Sequence, residues 1–310
     1  LSAPLRWTGY TGVGFSRISV NPSLSIIYKL NYAWRFTVHA SYKERYGEMT
    51  DLYDRPYQTD YRNSVWNCGI LPVYRQQLYS VYGEYKNTAR EFFATVNLTH
   101  NREWYNRIYE QRIENGQVQR VSLPLSNHGS GYTVKSTLSK GFYDLGLKTS
   151  LMALLNISKA EQISGGQRLP YQYRLMRLEP KVIWTPNRHW ETSYQTDIRY
   201  GGSKIGERTR LAPLWNVIQQ VQLSYIFSPI EASLSVDHYH NDVNEDQSVN
   251  AVFADFSVLW KSGRWQITAT ATNLFDKRTY AYTRYASLES YTSWVRIRPR
   301  EFLVAIRYRL

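Results

Sequence analysis

The sequence predicts an all-β fold, a transmembrane antiparallel β-barrel with about 13 or 14 strands present. Three observations predict it. Apolar and polar residues alternate with a period of two in segment after segment, short turns take turns with long polar loops, and aromatic residues gather beside the short turns. A period of two sends successive side chains to opposite faces of an extended strand, so one face suits hydrocarbon and the other water.

The alternation is legible from the start of the chain. In "SLSIIYKL" the apolar set is Leu24, Ile26, Tyr28 and Leu30, and in "WRFTVHASY" it is Trp34, Phe36, Val38, Ala40 and Tyr42, with Arg35, Thr37, His39 and Ser41 opposite. Phe92, Ala94, Val96 and Leu98 follow, then Leu145, Leu147, Leu151 and Leu155, then Trp190, Tyr194 and Ile198. The last third repeats the pattern at Val221 to Phe227, Ala232 to Val236, Val252 to Trp260, Trp265 to Ala271 and Phe302 to Leu310. Extended segments are expected over roughly 16–30, 32–46, 72–86, 89–111, 117–141, 144–160, 168–185, 188–201, 209–227, 230–241, 248–261, 264–274 and 297–310, with a partial one near 3–14. Segment 168–185 contains Pro180, which removes a ladder donor. Several segments exceed the ~9 to 11 residues that cross a bilayer, so they are expected to project beyond it as hairpins.

Long polar loops are expected around 46–72, 111–120, 160–168, 200–210, 240–248 and about 273–297. The short turns between them then share one end of the sheet, as periplasmic turns do in an outer-membrane barrel. Trp34, Tyr85, Phe92, Phe142, Tyr143, Trp184, Trp190, Phe227, Trp260 and Trp265 flank those turns. A bilayer boundary gives rings a reason to collect there, because each can keep one side apolar and one side wet.

Composition narrows the class. The 310 residues include 27 Tyr and 10 Trp, and no stretch reaches the ~18 to 20 apolar residues of a membrane helix. The net charge of +13 is spread over the polar sides of strands rather than gathered in a stripe or tail, which argues against nucleic acid and for anionic lipid or an anionic ligand. Cys68 is alone, so there is no disulfide framework and no cysteine metal site. "GGSKIGER" at 201–208 lacks phosphate-loop spacing. Six scattered His without a nucleophile motif give no sign of an enzyme, and no cofactor is expected.

The C-terminal stretch resembles the TonB-dependent receptors, active transporters of the bacterial outer membrane. The similarity rests on Asn273, Leu274, Phe275, Asp276, Lys277, Arg278 and Tyr280, then on Arg298, Pro299 and Arg300 before a final strand; "LSNHGSGYTVKSTLSKGFYDLGLKTSLMALLN" is similar to the family's descending strand, turn and ascending strand. The chain departs from the family in ending at Leu310 rather than an aromatic residue and in having Ala305 where Gly is usual. The resemblance implies that residues 1–310 are the barrel domain, the C-terminal part of a 22-stranded barrel whose plug domain and signal peptide lie outside this sequence. It also implies uptake of a scarce nutrient such as a ferric chelate, haem, glycan or peptide. Its partners would be outer-membrane lipid and lipopolysaccharide, the TonB complex acting through the plug, and a surface lipoprotein. The alternative is a standalone barrel serving as a passive pore, adhesin or lipoprotein-binding platform.

Two loops carry candidate contact residues, because Tyr, Trp and Arg combine large rigid area with polar tips. They are Tyr53, Arg55, Tyr57, Tyr61, Arg62 and Trp66 in the first, and Tyr280, Tyr282, Arg284, Tyr285, Tyr291 and Trp294 in the second. Arg35, Lys43, Lys148, Glu191, Asp197, Arg199, Asp255 and Arg307 are expected to face the lumen. "DHYHNDVNEDQ" holds Asp237, His238, His240, Asp242, Glu245 and Asp246, metal-ligating types read here as a solvated hairpin tip, with no metal site expected.

Overall fold

The computed structural model describes the backbone of residues 1–10, 15–114, 117–206, 209–243, 246–286 and 289–309, with side chains described at all of these except 10, 15, 114, 164, 209–212, 284–286 and 289–291. Strands β1 (Leu5–Tyr10) and β2 (Phe15–Val20) form a hairpin that leads through Asn21 and Pro22 into β3 (Ser23–Lys29). Next come β4 (Trp34–Tyr46), the short β5 (Tyr57–Gln58) and β6 (Asn63–Trp66), β7 (Val73–Asn87), β8 (Phe92–Tyr105), β9 (Ile108–Glu114), β10 (Gln117–Leu123) and β11 (Asn127–Phe142). Long strands follow: β12 (Leu147–Ser164), β13 (Gln167–Asn187), β14 (Trp190–Ile205) and β15 (Thr209–Phe227). The chain ends through β16 (Ile230–Asp242), β17 (Ser248–Ser262), β18 (Trp265–Thr272), β19 (Thr279–Ala286), β20 (Glu289–Arg296) and β21 (Glu301–Tyr308).

Thirteen of these pair antiparallel in succession: β3, β4, β7, β8, β11 to β18, then β21. The fold is thus an all-β, up-and-down wall of the outer-membrane barrel kind. The strand order comes round from β21 to β3 as in a closed barrel. Among the described residues, however, no residue pairing joins the two: β21 is in register with β18 alone and β3 with β4 alone. Exposure agrees, since both faces of these strands are open, Phe302 at 73% and Leu303 at 64%, Ile26 at 54% and Ile27 at 61%. The wall is curled but unsealed along that seam.

Register fixes the faces. Val81, Leu98, Val134, Leu155, Met176, Tyr200 and Trp215 lie in one cross-strand series on the apolar face, and their neighbours along each strand point the other way. At the short-turn end, Trp34 packs on Tyr85 at 4.8 Å, Trp190 on Tyr225 at 4.6 Å and Trp265 on Tyr308 at 4.8 Å. A second belt lies nearer the loops, with Tyr79, His100 and Tyr132 stacked in line and Tyr200 on Trp215 at 4.6 Å. Trp190 and Tyr200 are ten residues apart on β14. At ~3.3 Å per residue and ~40° of tilt, the belts are separated by ~25 Å, the height of an outer-membrane apolar band. That band is why the rings stand where they do.

The turns at 30–33, 88–91, 143–146, 188–189, 228–229 and 263–264 share one end of the wall. The one at 143–146 closes on Gly146, whose positive φ of 58° and whose position, with the Thr185 carbonyl 2.0 Å from where a Cβ would sit, leave no room for a side chain. Leu145, expected in a strand, belongs to that 3-10 turn. Pro180 lies within β13, opposite Leu151 of β12; on its other side the pairing with β14 skips Glu179 and Pro180, so the missing donor falls in a gap of the ladder.

The loop expectations are corrected in several places, and at 111–120 Gln111–Glu114 pairs with Gln117–Arg120 as strand. Residues 160–164, 200–205 and 240–242 continue as paired strand, the chain turns through Gly165–Gly166, and the Val243 N–H donates to the Gln247 carbonyl at 2.8 Å. The expected long strands 89–111 and 117–141 instead break at Asn106 and Arg107 and again at 124–126. This frees β9 and β10 as a separate hairpin. Asn106 makes the break: its Oδ1 accepts the Val73 N–H at 2.8 Å and its Nδ2 donates to the Leu71 carbonyl at 2.9 Å, so the chain turns onto the neighbouring loop.

Candidate functional site

The polar face of the wall is stitched by ion pairs and amides. Arg35 pairs with Glu84 at 2.6 Å across β4 and β7, and Glu103 accepts from Gln76 at 3.0 Å, from Asn101 at 3.2 Å and from Tyr105. On β13 and β14, Arg177 grips Asp197 with two hydrogen bonds of 2.9 Å, and Arg199 adds one of 2.6 Å to the same carboxylate. Arg177 also pairs with Glu179. A forked guanidinium on a carboxylate holds both groups in one plane, so Asp197 and Arg199 are presented in fixed directions.

Across this face lies the β19–β20 hairpin. It packs against β14, β16 and β17, burying Ala281 and Thr283. Asn241 of β16 donates to the Tyr280 hydroxyl at 2.9 Å, Thr283 donates to the Val243 carbonyl at 3.1 Å, and Tyr280 sits edge-on to Tyr239 at 5.3 Å. Between hairpin and wall is a pocket of about 280 Å³ lined by Asp197, Arg199, Asn216, Ile218, Asn241, Tyr280, Tyr282 and Thr283. It offers a guanidinium, two amides and two phenols around a carboxylate already engaged by arginines. Such a set can hydrogen-bond a polar or anionic ligand while the rings cover its apolar parts.

What turns the hairpin inward is the motif at its base. Asn273 is buried at φ 51°, and Asp255 Oδ1 accepts its N–H at 2.7 Å. Its own Nδ2 donates to the carbonyls of Lys277 and Arg298, both at 2.8 Å, and its Oδ1 accepts the Lys277 N–H at 2.9 Å. Asp276, also at positive φ, accepts from Arg278 at 2.9 Å and from the Arg300 N–H at 3.1 Å. The Arg278 hydrogen bond, then the Arg300 amide, hold this loop carboxyl below the usual aspartate range. The two ends of the loop, 273–278 and 298–300, are therefore clamped together.

The residues expected to face the lumen all fall, by register, on the face opposite the apolar set. Lys43 lies across from Gln76, Lys148 from Ile183, Glu191 from Ser224, Asp255 from Ser235 and Arg307 from Gln266, with Arg35, Asp197 and Arg199 as described above. The pocket unites Asp197 and Arg199 with Tyr280 and Tyr282, residues expected in separate groups. Asn216, Asn241 and Thr283 carry no sequence signal of their own, Asn241 standing where the expected segment 230–241 meets the expected loop 240–248. Trp294 is exposed at 68%, away from the pocket, and the side chains of Arg284, Tyr285 and Tyr291 lie outside the described residues.

The first candidate loop has another fate. Tyr53 and Tyr57 meet edge-on at 6.0 Å, Arg62 lies over Tyr61 at 5.3 Å, and Trp66 donates to the Asp54 carbonyl at 2.8 Å, while Arg55 is exposed. β6 runs parallel to β10, placing this loop on the β9–β10 hairpin rather than against β19. Arg107, 5% exposed and missed in the sequence, is its hub: it pairs with Asp51 at 3.0 Å, donates to the Tyr74 hydroxyl at 2.7 Å and lies 4.9 Å from the Tyr109 ring. His238 points to the apolar side, opposite Gln219 and Val252, and His240 pairs with Asp242 at 3.3 Å. No three metal-ligating side chains converge among the described residues, and Glu245 lies outside them.

No family model matches the chain, and no curated protein does. Among solved structures, it is similar to FpvA of P. aeruginosa bound to heterologous pyoverdines, at 10% identity over 93% of this chain and 44% of that one, with a TM-score of 0.49. The ferric yersiniabactin uptake receptor FyuA of Yersinia pestis matches at 9% identity over 94% of this chain and 50% of that one, TM-score 0.43. The translocator domain of the autotransporter NalP of Neisseria meningitidis matches at 10% identity over 90% and 89%, TM-score 0.30. The chain spans about half the length of the first two.

Proposed function

We propose that this chain is the wall of an active uptake receptor of the TonB-dependent kind in the bacterial outer membrane, a conduit rather than a catalyst. The observation that carries the reading is the β19–β20 hairpin, which lies across the polar face and closes the Asp197, Arg199, Asn241 and Tyr280 pocket over it. A pathway so occupied holds its cargo before passing it on. The unsealed seam supports a wider barrel than thirteen strands would close, with room for a plug. The cargo class fitted by guanidinium, amides and phenols is a polar or anionic nutrient, of which a ferric chelate or an acidic glycan is an example.

The test uses the intact gene in its own host. Uptake of labelled ferric chelates, haem, oligosaccharides and peptides is compared with and without the inner-membrane energy-coupling complex, and the intact mass of the protein from native membranes is recorded. Coupling-dependent accumulation that falls when Asp197→Asn is introduced, with a mass near twice the 36.5 kDa of this chain, supports the reading. Flux of small solutes that ignores the coupling complex makes the protein a passive pore. The absence of any flux makes it an adhesin or a platform for a surface lipoprotein.

A further inference from the structure

One row of polar side chains breaks the outward face between its two belts. Thr196 on β14, six residues above Trp190 and four below Tyr200, stands opposite Gln219 on β15, and Gln219 stands opposite His238 on β16. Strand alternation puts Thr196 on the side of Tyr200 and Gln219 on the side of Trp215, the rings of the upper belt. Thr196 is 2% exposed, and its Oγ1 is shut from solvent without a hydrogen-bond partner. Gln219 and His238 are half-buried, and neither makes a hydrogen bond or an ion pair among the described residues.

On the polar face a bare amide or imidazole would meet water. At this depth on the outward face the neighbouring phase is acyl chain, which offers no hydrogen bond, so unmet polar groups there call for protein. The relief of the face agrees. From β8 to β13 it is bulky, with Leu98, Leu138, Leu151, Leu155, Met176 and Leu178 all standing out from it. Beside the polar row, on β16 to β18, the outward positions include Val236, Val252, Ala254 and Ala271, and Ala254 is 4% exposed. Short side chains let two membrane surfaces approach until their polar groups can bond across the contact.

We propose that this row is the contact between two copies of the chain, side by side in the membrane about a two-fold axis that runs between β15 and β16. Such an axis brings Gln219 of one copy to the partner's His238, and the partner's Gln219 to His238. An amide side chain has donors and an acceptor, and an uncharged imidazole has one of each, so the pair is complementary to its own rotated image. That self-complementarity is what a two-fold contact requires, and a row of cations or of carboxylates would instead repel its copy. The occupant is a second copy because the row supplies, in reverse order, the donors and acceptors that it lacks.

The full-length protein is cut from its native membrane in polymer-bound lipid discs, and native mass spectrometry counts the copies in each. Two copies per disc are expected. Q219L/H238L, which suits hydrocarbon better than the native pair, should lower the two-copy fraction about tenfold while heat-modifiable gel mobility shows the barrel folded. The exchange Q219H/H238Q should keep the pair, since each His still faces a Gln, and so should Leu155→Ala on the distant part of the face. One copy per disc for the unaltered protein, or pairs that survive Q219L/H238L, overturns the contact. Loss of the pair in Q219H/H238Q overturns the two-fold arrangement. A different protein found beside a single copy and released by Q219L/H238L overturns the second copy as the occupant.

Discussion

The loop at 47–72 and the loop at 273–300 have the same vocabulary, Tyr, Arg and Trp around acidic turns, and opposite destinations. The first is recruited outward along the rim, onto β9 and β10, by a buried cation. The second is folded back over the polar face by a buried amide. Composition did not decide between them; the hub did. Arg107 needs anions and rings, and finds Asp51, Tyr74 and Tyr109 in the crest of the rim. Asn273 needs backbone carbonyls and an acceptor for its N–H, and finds them only where residues 277 and 298 come side by side beneath Asp255. A loop's aromatic wealth says that it will bury something, and its one satisfied buried polar group says where.

Breaking the hubs should separate the two loops. The largest effect is expected from Arg107→Met, which leaves Asp51 and the Tyr74 hydroxyl without their partner and should cost about 3 kcal/mol of loop stability. Hydrogen exchange would then rise across 47–72 and 106–123 with 273–300 unchanged; a shared response of both loops would refute their independence. Asn273→Ala comes next, at about 2 kcal/mol for lost hydrogen bonds and a strained positive φ, with protease access confined to 273–300. Tyr280→Phe removes one hydrogen bond, that from Asn241, but keeps the ring contact with Tyr239, so about 1 kcal/mol is expected. It should weaken cargo retention in an equilibrium binding assay and leave the melting of the wall alone.

The smallest effect is a matter of pH. The folded carboxyl of Asp276 titrates below its unfolded value of ~3.9, so its clamp contributes fully above that value and is lost as pH falls through the lower, folded one. Protection of the Arg300 amide should be flat from pH 7 to 5 and decline only below about pH 4. A decline centred near pH 6 would assign the clamp to another group.

Much of the wall was legible because lipid demands one clean face. β4, β8 and β17 read as alternation since each outward position must be apolar. Above the upper belt that demand stops. "AEQIS" in β12 carries no clean apolar face and falls in the expected loop 160–168, although the backbone ladder with β13 continues through Ser164 opposite Gln167. The break at Asn106 and Arg107 was hidden for the converse reason: "EWYNRIYEQ" keeps its alternation straight through the turn, and only the long-range bonds of Asn106 reveal it. In the pocket, Asp197 and Arg199 were readable as inward charges, whereas Asn216 and Asn241 are ordinary polar residues until the hairpin arrives above them.

The crest formed where β9 meets the tip of the β12–β13 hairpin has a mechanical consequence. Past the end of β11, β9 runs parallel to the freed edge of β12, and Glu110 accepts the N–H of Gly166 at 3.0 Å in the turn itself. With Arg107 anchoring the same β9 to the first loop, two hairpins and that loop are braced into one truss. A load on the tip would meet a braced ridge and be delivered to β7, through Tyr74, and to β12 in the wall.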